Sequence, residues 1–375
     1  MDFKKTMDIT DKNLREHVTF VKAIIITQIA VWHFYGFNVA RNLSLSQCIG
    51  KVLSMTPSVS LSGLWLILVY FGGAVSKLFF LTSGFGLYLS HRSKPSAWPE
   101  FYRRRALRIL PLYWLALVTI YVLTGDIPLG SLILHLFALQ TFTPHYNDFS
   151  HMWFVGMLAL FYMIFPLLAW CFSRSALKWP LVLISLIIGP LTPRALDYFG
   201  LRFDGLLPSI YLPYFILGML LADVYVTNRK ITEAIFSVKA SLGAAAALAA
   251  TLALQYKDMI SADLVYVQLV LYFIALYVPY RIARTNAFVF NALGAVACAS
   301  YVVYLTHLSL EGLILNYAMS HNLIDYVYSG SGSGSYFPSQ AQFITTFIIS
   351  YIFIVAISAA IQKYYNRYVY AKLTT

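Results

Sequence analysis

The run from Phe20 to Phe37, FVKAIIITQIAVWHFYGF, is apolar enough to enter a lipid bilayer, yet it contains Lys22 and His33. An ionisable side chain inside a membrane segment is costly, so each of these two residues calls for a reason. On one helix they would lie roughly 16 Å apart. Lys22 is interpreted either as a cation that reaches the bilayer surface or as a binding group. His33 either hydrogen-bonds a neighbouring helix or transfers protons near neutral pH, for which imidazole is suited.

Residues 91–108 are the most basic stretch of the chain. On a helix Arg104 and Arg108 share one face, because they are four residues apart, and Arg105 lies beside them. Such a stretch marks a connection on the cytoplasmic side of a membrane. Its guanidinium groups are also suited to bind a polyphosphate or the phosphates of lipids. The sequence leaves both interpretations open.

A second histidine, His307, is followed four residues later by Glu311 in the apolar segment SYVVYLTHLSLEGL. That spacing places both side chains on one face of a helix. A carboxylate beside an imidazole orients its tautomer and raises its basicity, as in catalytic pairs. The alternative interpretation is a buried pair with a structural role.

The composition indicates that these residues belong to a polytopic membrane protein. The 375 residues are 59% hydrophobic and only 11% charged, whereas about 25% of the residues of a soluble domain are charged. The net charge of +12 comes from basic residues in short connections between apolar runs, as the positive-inside rule predicts, so nucleic-acid binding is not expected. The three cysteines are far apart and lack zinc-ligand spacing, and no metal is predicted.

The apolar runs predict an all-α fold with about ten transmembrane helices, since one crossing takes about 20 residues. Both termini are expected in the cytoplasm, because both carry basic residues. The run 129–142 is short for a crossing. The loops 91–108 and 228–230 are both basic and are assigned to the cytoplasm, so an even number of crossings must lie between them. Placing 129–142 at the membrane interface leaves four. The predicted organisation is a cytoplasmic arm (1–17), a transmembrane domain (18–365) and a cytoplasmic tail (366–375).

Six short motifs follow one another between residues 20 and about 310. They are Lys22 with His33; Phe79, Phe80, Ser83, Gly84 and Phe85; Phe101, Arg104, Arg105, Arg108, Ile109, Pro111 and Tyr113; Trp153, Phe154, Phe161, Tyr162 and Pro166; Tyr214, Phe215 and Gly218; and Ser300, Tyr301, Tyr304, Leu305 and His307. Together and in this order they resemble the motifs of the acyltransferase-3 superfamily of integral membrane acyltransferases.

The resemblance implies transfer of an acyl group, commonly acetyl from acetyl-CoA, to a hydroxyl or amine of an acceptor such as a cell-surface or lipid-linked carbohydrate. It implies an integral protein of a bacterial or archaeal-type plasma membrane. In this mechanism Arg104, Arg105 and Arg108 would hold the donor phosphates, and Lys22 would assist. His33 would act as general base or carry the acyl group, with His307 and Glu311 as a second proton relay. The expected partners are therefore acyl-CoA, a glycan acceptor and membrane lipids.

The chain departs from the family pattern at three positions. Lys22 stands where the family usually has arginine, and a lysine cannot form a bidentate fork. Lys77 stands where many members have aspartate, and Leu158 where many have glutamate. Two other functions stay open: a transporter, proton-coupled or moving a glycan or lipid intermediate, and an inactive scaffold of a glycan-assembly complex.

Overall fold

The computed structural model describes residues 3–38, 72–124, 127–203, 205–257, 259, 264–323, 327–328, 335–336 and 340–374. The helices are, in chain order, α1 (Phe3–Asn38), α2 (Ser76–Ser93), α3 (Trp98–Thr124), α4 (Leu129–Leu136), α5 (Trp153–Phe172), α6 (Ser175–Tyr198), α7 (Pro208–Thr227), α8 (Arg229–Ile235), α9 (Val238–Tyr256), α10 (Val265–Ala275), α11 (Tyr277–Ala283), α12 (Ala287–Ser320), α13 (Gln340–Tyr364) and α14 (Ala371–Thr374). A π-helix, Tyr365–Tyr370, joins α13 to α14, and three 3₁₀ turns lie between α4 and α5 (Gln140–Phe142, Pro144–Asn147 and Ser150–Met152).

The fold is that of an all-α polytopic membrane protein. Within the described residues, nine helices are long and apolar enough to cross a membrane. The remaining predicted span is α2, whose polar ends carry Lys77, His91 and Arg92 and lower its mean hydropathy. With α2 counted as a tenth crossing, both termini lie on one side of the membrane, which the positive-inside rule predicts to be the cytoplasm.

Three local features refine the predicted organisation. Helix α1 begins at Phe3, within the predicted cytoplasmic arm, and continues through the first predicted span. Helix α4 has eight residues, about 12 Å, too short to cross a bilayer, as predicted. The glycine-rich segment contains a small antiparallel pair, β1 (Val327–Tyr328) with β2 (Ser335–Tyr336), in which Val327 lies opposite Tyr336. Residues 41–58, which include Ser44, Ser46, Thr56 and Pro57 and are expected from the sequence to form an outer loop, lie outside the described residues.

The chain forms two compact units. The first comprises Met1–Ser76 and Glu233–Lys363, and is built around α1 and α12. Apolar side chains of α1 such as Val21, Ile25 and Ala30 are completely buried. Helix α13 is held to α1 by a hydrogen bond of 2.8 Å between Tyr351 and Thr27, and by the rings of Phe34 and Phe347.

The second unit comprises Lys77–Thr232 and Tyr364–Thr375. Its core is aromatic: the ring of Phe80 lies 4.6 Å from that of Phe154 and 5.2 Å from that of Phe161. Beside this core, Lys178 of α6 forms a 2.8 Å ion pair with the buried Asp223 of α7, and Tyr88 of α2 donates a hydrogen bond to the same carboxylate. The three helices are thereby joined at one charged group.

Candidate active site

His33 and His307 lie in direct contact in the first unit, although 274 residues separate them in the sequence. Helix α1 carries His33 and helix α12 carries His307. The Nδ1 atom of His33 is 2.9 Å from the Nε2 atom of His307, and the ring centroids are 4.9 Å apart. His307 is fully buried and His33 is half-buried. The two helices therefore form a histidine pair in which only His33 is partly accessible.

The surroundings of His307 determine which ring nitrogens carry hydrogen. Its Nδ1 atom lies 3.0 Å from the carbonyl oxygen of Val303 and 2.9 Å from that of Tyr304. A carbonyl oxygen only accepts hydrogen bonds, so Nδ1 is the protonated nitrogen of neutral His307 and Nε2 is its acceptor. The Nδ1–H group of His33 then donates to this acceptor, and Nε2 of neutral His33 carries a lone pair. In this state His33 is a base.

Glu311 lies one helical turn beyond His307 on α12, as its spacing predicts. The side chain is buried, and its Oε1 atom has no hydrogen-bond partner among the described residues. Because the helix backbone already fixes the tautomer of His307, the structure gives Glu311 no such orienting role at Nδ1. A buried carboxyl oxygen without a donor is costly, which points to a function for it.

Next to His33, helix α1 packs closely against Gly72 and Gly73. Trp32 packs edge-on against the His33 ring, with centroids 4.8 Å apart. A Cβ atom added at Gly72 would lie 2.1 Å from the Cβ atom of Trp32, so only glycine fits at that position. Gly72 and Gly73, which interrupt the apolar run 59–90 of the sequence, thus pack on Trp32.

The arginine cluster lies on the first turns of α3, in the second unit. Glu100 forms ion pairs with Arg103, at 2.8 Å, and with Arg104. Arg105 differs from both, because its Nε atom is buried without a hydrogen-bond partner among the described residues and its guanidinium lies over the Phe101 ring at 5.6 Å. Arg108 is exposed. Of the three predicted donor ligands, Arg105 is the one that is partly buried and has a guanidinium nitrogen without a hydrogen-bond partner among the described residues.

The predicted site residues fall into two groups. His33, His307, Glu311 and the half-buried Lys22 belong to the first unit, whereas Arg104, Arg105 and Arg108 belong to the second. Lys22 lies on α1, eleven residues before His33. In the described residues, no group of three or more His, Cys, Asp or Glu side chains is arranged to hold a metal ion.

Sequence reasoning missed Glu100 as the counter-ion of the arginine cluster. Its spacing of three and four residues from Arg103 and Arg104 is a signal for helical ion pairs.

Two of the family motifs also proved to be packing motifs. A Cβ atom at Gly84 of α2 would lie 2.0 Å from the carbonyl oxygen of Phe215, and one at Gly218 of α7 would lie 2.0 Å from that of Leu81.

Comparison with curated proteins and with solved structures gives no match. A family model described as an acyltransferase domain, Acyl_transf_3, matches residues 18–363. This range contains the histidine pair, Glu311 and the arginine cluster. The chain therefore belongs to the acyltransferase-3 family of integral membrane acyltransferases.

Proposed function

We propose that this protein transfers acetyl from acetyl-CoA to a hydroxyl of a cell-surface or lipid-linked carbohydrate, in the plasma membrane of a bacterial or archaeal-type cell. The observation that carries the proposal is the 2.9 Å contact between His33 and His307 in a chain of the acyltransferase-3 family. This pair supplies a general base, which transfer to a weakly acidic hydroxyl requires.

In the proposed reaction, Nε2 of His33 accepts the proton of the acceptor hydroxyl as the oxygen attacks the thioester carbonyl. The new carbon–oxygen bond forms, the carbon–sulfur bond breaks, and the electron pair leaves with the sulfur of CoA. His33 then returns its proton to the thiolate, so the proton balance closes within one turnover. His307 Nε2, 2.9 Å from His33 Nδ1, holds the His33 ring in position and stabilises its protonated form.

The donor phosphates are assigned to the arginine cluster of α3. Acetyl-CoA carries a diphosphate and a phosphomonoester, and guanidinium groups bind such oxygens through paired hydrogen bonds. Arg105 and Arg108 bring charge to this surface without the Glu100 carboxylate that pairs with Arg104. Lys22 of α1 is assigned a supporting role in donor binding.

Replacing Arg105 with alanine is expected to weaken CoA binding by about tenfold or more, because it removes a charge-assisted hydrogen-bond donor from a partly buried position. Arg104→Ala is expected to have a smaller effect, since Glu100 already offsets part of that charge. The measurement is a calorimetric titration of the purified protein with CoA. Arg202→Ala, which removes an exposed arginine between α6 and α7, is the control. Wild-type affinity in an Arg104→Ala, Arg105→Ala double variant would contradict a phosphate role for the cluster.

We expect Glu311→Gln to lower the transfer rate by about tenfold or more and to displace the pH profile of that rate. The amide keeps the shape of the buried side chain but cannot take up or release the proton that a relay with His307 requires. The profile of acyl transfer against pH, compared with that of wild type, is the measurement. Glu233→Gln removes an exposed carboxylate on α8 and serves as control. A lower rate with an unchanged profile would assign Glu311 a structural role only.

A further inference from the structure

The last residues of the chain form an ordered element rather than a loose tail. After α13 the backbone continues as the π-helix Tyr365–Tyr370 and then as α14. Segments of π-helix are rare and occur frequently at functional sites. The family match ends at residue 363, so this segment lies beyond the part of the chain that the family model describes. We call residues 365–374 the C-terminal segment.

Two contacts hold the C-terminal segment along the arginine helix α3 within the second unit. The buried Tyr365 donates a hydrogen bond from its hydroxyl to the carbonyl oxygen of Leu107. Arg103 donates from Nη1 to the carbonyl oxygen of Leu373 at 2.7 Å. Leu107 and Arg103 are one helical turn apart on α3, so the segment is fixed beside the turn that carries Arg104 and Arg105.

The C-terminal segment adds positive charge to this surface. Arg367 and Lys372 are both exposed, and the segment contains no acidic residue. The half-buried Tyr370 lies between these two cations in the sequence of the segment. Arg105 also keeps a buried Nε donor without a hydrogen-bond partner in the described part of the chain. The second unit thus carries two adjacent basic elements, and in its described residues one of them has a hydrogen-bond donor without a partner.

We propose that the C-terminal segment is the second wall of the site that binds the phosphates of the acyl donor. Arg367, Lys372 and the hydroxyl of Tyr370 would contact phosphate oxygens opposite Arg105 and Arg108. Several phosphates are held better between two basic elements than along one helix face, because each can receive donors from two sides. This inference rests on the proposed function, since it assumes a CoA thioester as donor.

The test is a calorimetric titration with CoA of the full-length protein in phosphatidylcholine nanodiscs at low salt. The double variant Arg367→Gln, Lys372→Gln is expected to bind about tenfold more weakly than wild type, with a difference that shrinks as salt is added. The matched control, Lys230→Gln with Lys239→Gln, removes two exposed cations of α8 and α9 and should bind as wild type does. Both variants keep Tyr365 and Leu373, and equal melting temperatures would show that folding is intact.

Equal CoA affinity of wild type and the Arg367→Gln, Lys372→Gln variant would overturn the inference while leaving the proposed donor in place. If wild type itself binds no CoA, the proposed donor fails and the inference fails with it. A phospholipid headgroup offers similar phosphate chemistry, so the lipid retained from discs that contain phosphatidylglycerol is measured in parallel. Loss of retained phosphatidylglycerol with unchanged CoA affinity would assign the segment to lipid and overturn its role at the donor site.

Discussion

Replacing His33 with alanine is expected to reduce acyl transfer by about 10²- to 10⁴-fold, the range that a positioned general base contributes. The expected cause is loss of the Nε2 lone pair that the contact with His307 makes available. Donor binding should be unchanged, because the arginine cluster assigned to it lies on α3 and keeps all its own contacts. Release of free CoA thiol in the presence of acceptor, measured with a thiol-reactive dye, gives the rate.

The control for this prediction is His321→Ala, which removes an exposed histidine at the end of α12 and should leave the rate unchanged. His307→Ala is expected to give an intermediate loss, since His33 would keep its base but lose the group that orients it. A His33→Ala protein that folds, binds CoA and transfers at the wild-type rate would contradict the assignment of His33 as the base.

Replacing Gly84 with alanine is expected to destabilise the protein by about 3 kcal/mol, the cost of inserting a methyl group into a closely packed interface. The added Cβ atom would lie 2.0 Å from the carbonyl oxygen of Phe215, and a backbone atom cannot move aside as a flexible side chain does. Helices α2 and α7 would have to separate, and van der Waals contact through small residues is what holds membrane helices together. The melting temperature and the yield of monodisperse protein in detergent are the measurements.

Gly86, two residues after Gly84 on α2, offers a matched control. A Cβ atom added at Gly86 meets no atom within 4 Å, and this glycine is exposed. Gly86→Ala should therefore be neutral or stabilising by up to about 1 kcal/mol, since alanine favours helix more than glycine does. Equal melting temperatures for the two variants would contradict the tight crossing of α2 and α7.

The sequence predicted those parts of the fold that depend on local pattern. Apolar runs of sufficient length mark membrane helices whatever they pack against. The run 129–142 was predicted not to cross the membrane, and its helix α4 has eight residues, which are too few for a crossing. Likewise, a spacing of four residues sufficed to place His307 and Glu311 on one side of α12.

The contacts between distant segments could not be predicted in the same way. A membrane helix that is hydrophobic all round has no polar face to show which side meets a neighbour. His33 and His307 were therefore assigned as separate groups, although they touch. For the same reason the close packing of Gly84 against the backbone of Phe215 could not be predicted. The cations of the C-terminal segment were interpreted only as markers of the cytoplasmic side.

The most direct test of the proposed function is transfer of radiolabelled acetyl from acetyl-CoA to surface glycan, measured in membranes from cells that express the protein. We predict that membranes with wild-type protein incorporate label into glycan, and that membranes with equal amounts of folded His33→Ala protein do not. Absence of label with wild-type protein, in membranes where CoA binding is demonstrated, would contradict acetyl transfer to a surface glycan. Equal labelling by both proteins would place the chemistry somewhere other than the His33–His307 pair.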